Sequence, residues 1–151
     1  MNPETRFALG DLVHRYAALV DDRRFDDAVQ LFVDDATLSL PDPPRSLEPV
    51  VTHSGHTEIR RAMAAAAAVT RTQHAIVGET YTAATQDTAQ GRISCIAHHW
   101  TDREGKLTDY AWHLRYDDEY LYTGDQWRFA SRTVTIDAIE TPPVRKLRPE
   151  A

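Results

Sequence analysis

Between Glu4 and Val20 the apolar positions Phe7, Leu9, Leu12, Val13, Tyr16, Leu19 and Val20 recur at steps of three and four. That spacing lays a single stripe along a helix and predicts a first amphipathic helix here. After the polar break DDRR, the set Phe25, Ala28, Val29, Leu31 and Phe32 repeats the pattern, so a shorter second helix is expected. Asp22 is its candidate N-cap, and Asp26 and Asp27 suit its positive end. The run DDATLSL alternates and predicts a short strand. The PDPPRSLEP that follows carries four prolines, which disfavour both a helix interior and a central strand, and reads as a loop. Ser54 or Gly55 is placed to cap a third helix, in which EIRRAMAAAAAV supplies strong helix formers as far as Val69.

From Thr70 onward the pattern changes to alternation rich in Thr, Val, Ile, Tyr and Trp, punctuated by the turn-prone clusters TQDTAQG, DREGK and YTGDQ. Four long strands are predicted, over 72–85, 88–101, 107–122 and 126–137, joined as an antiparallel meander. Helices first and an antiparallel sheet afterwards define an α+β domain rather than a βαβ fold. Successive strand residues face opposite sides. Ile93, Cys95, Ala97 and His99 therefore make the cleaner apolar face of their strand, opposite Arg92, Ser94, Ile96, His98 and Trp100. In the next strand Trp112, Leu114, Tyr116, Asp118, Tyr120 and Tyr122 form an aromatic wall with a carboxylate in it.

The chain has 151 residues, 42% hydrophobic and 26% charged. This is long enough for one well-buried domain, expected over 1–140, with 141–151 a loose tail. A net charge of -6 with scattered Lys and Arg argues against a nucleic-acid partner. No segment approaches the roughly 20 apolar residues that span a bilayer, so no membrane partner is expected. One cysteine, Cys95, excludes an internal disulfide framework and fits a reducing compartment, which makes the cytoplasm the expected location.

Few residues carry chemistry. His74 heads the apolar-alternating segment TRTQHAIVGETYT, either as a base or as a hydrogen-bonded core histidine. A metal is not expected: His98 and His99 are adjacent on a strand and point to opposite faces, and His53 and His56 lie in or near the proline-rich loop. No phosphate-binding glycine loop and no Gly-x-Ser-x-Gly elbow occurs. Cys95 reads as a small buried residue rather than a nucleophile.

The segments RYAALVDDRRFDDAVQLFVDDATL, TRTQHAIVGE and YDDEYLYTGDQWRFASRTVTID, in that order, resemble the SnoaL-like branch of the nuclear-transport-factor-2-like superfamily, which includes scytalone dehydratase and bile acid 7α-dehydratase. The resemblance covers about Phe7 to Asp137. It implies a cone in which N-terminal helices pack on a strongly curved, mostly antiparallel sheet around a pocket, and a homodimer or homotrimer. It further implies His74 as general base, Asp21 as its orienting partner, Tyr16 as acid or oxyanion donor, and His99 as an auxiliary. Tyr116, Trp112 and Asp118 are the expected substrate-binding residues, with the alternative that Asp118 and Tyr116 satisfy one another. The activity implied is that of a cofactor-independent lyase removing a proton from an apolar polycyclic, steroid-like or polyketide-like molecule. An isomerase, cyclase or epoxide hydrolase with the same pair, or a non-catalytic ligand-binding or oxygenase-subunit module, remains open. Val20 stands where scytalone dehydratase has a tyrosine, and TLSLPD lacks that enzyme's other pocket tyrosine. Scytalone itself is therefore not the expected substrate.

Overall fold

The computed structural model describes residues 1–149. Helix α1 spans Pro3–Asp21, opened by the Asn2 side chain, which accepts from the Thr5 N–H at 2.8 Å. Its buried stripe comprises Leu9, Leu12, Val13, Tyr16, Ala17 and Val20. Phe7, counted on that stripe from its spacing, is 78% exposed. The helix closes through bonds from Asp22 N to Ala18 O and from Arg24 N to Leu19 O, with Arg23 in the left-handed region at φ 61°. Asp22 thus ends α1 and does not cap α2, a single short helix over Phe25–Val29 whose N-cap position is Arg24. Leu31 and Phe32, assigned to the second helix by spacing, lie beyond it, and Phe32 begins strand β1.

The proline-rich segment is not simply a loop. Strand β1, Phe32–Asp42, turns back into β2, Ser46–Ser54, to make an antiparallel hairpin. Two circumstances accommodate the prolines. Strand β2 lies at the sheet edge, and Pro41 and Pro49 fall where the register shifts between the Leu40–Val51 and Asp42–Ser46 pairs. Helix α3 follows over Gly55–Ala66 and stops at Ala67, so the alanine run is helical for only part of its length.

Strands β3 (Arg71–Ala83), β4 (Thr88–Arg103), β5 (Lys106–Tyr122) and β6 (Trp127–Glu140) form the expected antiparallel meander. The six strands run in the order β2-β1-β6-β5-β4-β3, with β1 and β6 parallel. The result is an α+β domain with helices on one face of a curved, mostly antiparallel sheet. Its core lies between α1, α3 and the face carrying Ile93, Cys95, Ala97, Leu114, Tyr116, Val134 and Ile136. The tail does not hang free throughout: Arg71 donates to the carbonyls of Arg148 and Pro149 at 2.8 and 2.5 Å. The last two positions of the expected tail lie outside the described residues. Among those described, no helix is long and apolar enough to cross a membrane.

Candidate functional site

Asp21 is the last residue of α1, and β3 passes close beside it. Its carboxylate faces His74 along two routes: Oδ1 lies 2.7 Å from the ring Nδ1, and Oδ2 accepts the His74 backbone N–H at 2.9 Å. Thr72 adds a third bond, its hydroxyl donating to Oδ1 at 3.0 Å. Ring and main chain of one residue are thus held by one carboxylate, which fixes the imidazole plane. A carboxylate only accepts, so the neutral ring carries its proton on Nδ1 and leaves a lone pair on Nε2.

His74 lines a narrow, mostly apolar cavity of about 50 Å³ together with Tyr16, His99, Trp112, Tyr116 and side chains such as Leu40 and Met63. The elements deliver these groups by simple periodicity. Tyr16 sits on the buried stripe of α1, while Ala97 and His99 share one face of β4, across from His74 and Thr72 on β3. Trp112 and Tyr116 come from the inward face of β5. A larger groove of about 510 Å³, bounded by Asp11, Arg15, Tyr122 and Trp127, is open and lacks such a pair.

His99 is 5% exposed, and its Nδ1 lies 2.9 Å from the Tyr110 carbonyl. Its ring centroid is 6.3 Å from that of His74 and 4.2 Å from that of Trp112. Burial lowers its pKa, partly opposed by the bond to Tyr110. The neutral ring therefore donates to the carbonyl and turns an acceptor nitrogen, not an acidic proton, to its surroundings. Burial also raises the pKa of the Tyr16 phenol, although the Arg132 guanidinium pulls the other way, so Tyr16 stays protonated and able to donate. Tyr116 is raised well above the usual tyrosine value by the same desolvation.

Asp118 does not line this cavity. Both of its oxygens are held by Arg132, whose Nε and Nη2 donate at 2.8 Å, and Tyr120 donates to Oδ2 at 2.7 Å. The guanidinium carbon lies 3.8 Å from the Tyr116 ring centroid and 4.4 Å from that of Tyr16, placing a buried cation directly behind the cavity wall. Arg132 was not singled out from the sequence, yet two signals point to it. It shares the parity of Val134 and Ile136 on β6, and an inward Asp118 demands a buried cation.

His98 and His99 do point to opposite faces. His98 Nδ1 pairs with Asp109 Oδ2 at 2.7 Å, and its ring stacks flat on Trp100, away from the cavity. Neither His98 nor Asp109 lines the cavity that His74 faces.

Fold and site together define a conical α+β domain whose apolar pocket, closed by helices on a curved sheet, presents a histidine–aspartate pair. The chain belongs to the SnoaL-like domain family, which it matches over residues 3–133. Among solved structures, it is similar to a provisionally named scytalone dehydratase from Novosphingobium aromaticivorans, with 18% identity, a TM-score of 0.76, and coverage of 95% of this chain and 91% of that one. A type 2 hexachlorocyclohexane dehydrochlorinase is similar at 16% identity and a TM-score of 0.77, over 97% and 94% of the two chains. An NTF2-like protein with a cystatin-like fold, from the same Novosphingobium species, is similar at 19% identity and a TM-score of 0.69, over 89% and 82%. At such identities the likeness establishes a shared fold. Comparison with curated proteins gives no match.

Proposed function

We propose that this chain is a cofactor-independent lyase that eliminates a small leaving group, water in the first instance, from an uncharged and largely apolar ring compound. The observation that supports the reading is the His74–Asp21 contact of 2.7 Å on the wall of an apolar cavity. In the reaction His74 Nε2 takes the proton from the carbon next to an activating group, and the C–H electron pair becomes the new C=C bond. The neighbouring C–O bond breaks with its electron pair. Asp21, ionised, supports the imidazolium, which returns its proton to the departing hydroxide to give water. Tyr16, held protonated by burial, hydrogen-bonds the developing negative oxygen rather than surrendering a full proton. His99 accepts a hydrogen bond from the substrate, and Trp112 and Tyr116 pack on its rings. The dehydratase and dehydrochlorinase named among the similar structures lend the elimination chemistry its plausibility.

The cavity as it stands holds little more than a water or two. A ring-sized substrate therefore requires the cavity to widen, and unbranched Met63 on its wall is the side chain with the most rotamer freedom to give way. The reading is tested on a panel of hydroxylated cyclic ketones, following the rise in ultraviolet absorbance as the conjugated alkene forms. His74→Ala is expected to lower kcat by about a thousandfold and Asp21→Asn by about a hundredfold, the range of a positioned base. The double variant should lose little more than His74→Ala alone, because the two act as a unit. Unchanged turnover in both single variants would sink the proposal.

A further inference from the structure

Asp21 is held from a second side by a chain of bonds that leads away from the cavity. Arg23 Nη1 donates to the Thr72 hydroxyl at 2.7 Å, and Nη2 donates to the Val69 carbonyl at 3.1 Å. Thr72 Oγ1 in turn lies 3.0 Å from Asp21 Oδ1. The direction of this chain is forced. A guanidinium has donors only, so Thr72 must accept from Arg23, and its single hydroxyl proton is left for the carboxylate. Asp21 Oδ1 then accepts from Thr72 on one side and from His74 Nδ1 on the other, while Oδ2 is occupied by the His74 backbone.

The backbone at Arg23 reinforces the point. It is the residue just past the end of α1 and sits at φ 61°, a conformation for which glycine is the usual occupant of this helix-ending turn. An arginine here bears a steric cost that glycine would avoid, and its side chain reaches back to β3 at the position two residues before His74. Thr72 is buried, and Arg23 is half-buried. The link is thus shielded from free exchange with solvent.

We infer that Arg23 and Thr72 are positioning residues that act through Asp21, a relay running Arg23 to Thr72 to Asp21 that locks the carboxylate and so holds the His74 proton on Nδ1 with Nε2 free as the base. The inference deepens the lyase reading and rests on it for its catalytic consequence. Neither residue lines the cavity. With the relay broken, the Asp21 carboxylate keeps only its two bonds to His74 and turns more readily about its last torsion, so that the ring samples the tautomer with the proton on Nε2, which cannot act as a base toward the cavity.

The test uses Thr72→Val, Thr72→Ser and Arg23→Gly, with Asp21→Asn as the reference break. It reads the nitrogen and proton NMR signals of the neutral His74 ring together with kcat and KM on the ketone panel. Wild type should show one tautomer, protonated at Nδ1. Thr72→Val and Arg23→Gly should each populate the other tautomer and lower kcat by about tenfold, the worth of one lost charge-assisted bond, with KM nearly unchanged. Thr72→Ser should restore both readouts, and glycine suits the Arg23 backbone, so neither variant depends on a strained fold. The relay is overturned when Thr72→Val and Arg23→Gly keep the wild-type ring signals while Asp21→Asn changes them, or when Thr72→Ser behaves as valine does. Should no ketone be turned over, the lyase reading falls, and the ring signals still decide the relay. Should His74→Ala and Asp21→Asn lose activity while the relay variants do not, the relay falls alone.

Discussion

Arg132 and Asp118 face each other as a cross-strand pair on β6 and β5, joined by two bonds of 2.8 Å with neither side chain exposing any surface. Burial disfavours the arginine's charge, but the facing carboxylate outweighs that cost and keeps its pKa above the ordinary value. Among the described residues one guanidinium nitrogen, Nη1, finds no hydrogen-bond partner, and the cation rests on the rings of Tyr16, Tyr116 and Phe129. Such a pair contributes little net stability, yet breaking it is costly because the survivor is left buried and uncompensated.

Asp118→Asn is accordingly expected to destabilise the fold by about 3–5 kcal/mol, lowering the melting temperature by about 10 °C for a chain of this size. Replacing both residues with leucine should recover most of the loss. Thermal unfolding followed by circular dichroism measures both. A single variant as stable as wild type would mean that Arg132 finds another counter-charge.

Acid should weaken the fold through His99. Burial lowers its pKa in the folded chain, so the unfolded chain binds a proton near pH ~6.5 that the folded chain refuses until lower pH. The stability gained by keeping the ring neutral is fully present above that value and is lost as the pH falls through it toward the folded midpoint. Urea unfolding at pH values on either side should therefore show a loss of up to about 1.4 kcal/mol per pH unit from this group. His99→Gln, whose amide can still donate to Tyr110, should lack that part of the slope. An identical slope in both chains would remove His99 as its source.

Cys95 offers a check on the core itself. Burial pushes its thiol up to about 12, and only 2% of the residue is exposed. An aromatic disulfide reagent in mildly alkaline buffer should leave it untouched in the native chain and label it once urea is added. Prompt labelling without urea would mean that the sheet face behind Tyr116 opens readily.

Much of this architecture is legible because its signals are local. Alternation in β3 to β6, with turn residues such as Asp102 to Gly105 between them, specifies the meander almost to its ends. The inward faces of β4 and β5 follow from the same period of two, which is why Cys95, Ala97, His99 and Tyr116 were placed correctly. The β1–β2 hairpin was not, since four prolines in so short a span argue locally against a strand. What permits them is a sheet edge and a register shift, and neither is visible without knowing which strands pair. Asp22 illustrates a smaller failure of the same kind: its capping chemistry suits a helix start, but the turn at Arg23 assigns it to a helix end.

The site divides likewise. Asp21 and His74 lie at element ends that the sequence marks, so their meeting could be anticipated once the cone was expected. Asp118 was expected to line the pocket because nothing near it in sequence reveals Arg132, fourteen positions onward on the next strand. Arg23 read as one charge in a polar break, and Thr72 as an ordinary strand threonine. Their joint contact with Asp21 exists only after β3 is laid beside the end of α1.

The parallel contact between β1 and β6 has a consequence for how the chain is made. Phe32 pairs with Phe129, and Thr37 to Ser39 pair with Ser131 to Thr133, so an early strand waits for the last one to be synthesised. Until β6 emerges from the ribosome, the β1–β2 hairpin has no neighbour on its inner edge, the rings of Tyr16 and Tyr116 lack their common partner, Arg132, and Phe32 lacks Phe129. A nascent chain halted after β5 would expose both an unpaired strand edge and an open aromatic core, the two surfaces on which chaperones and aggregation compete.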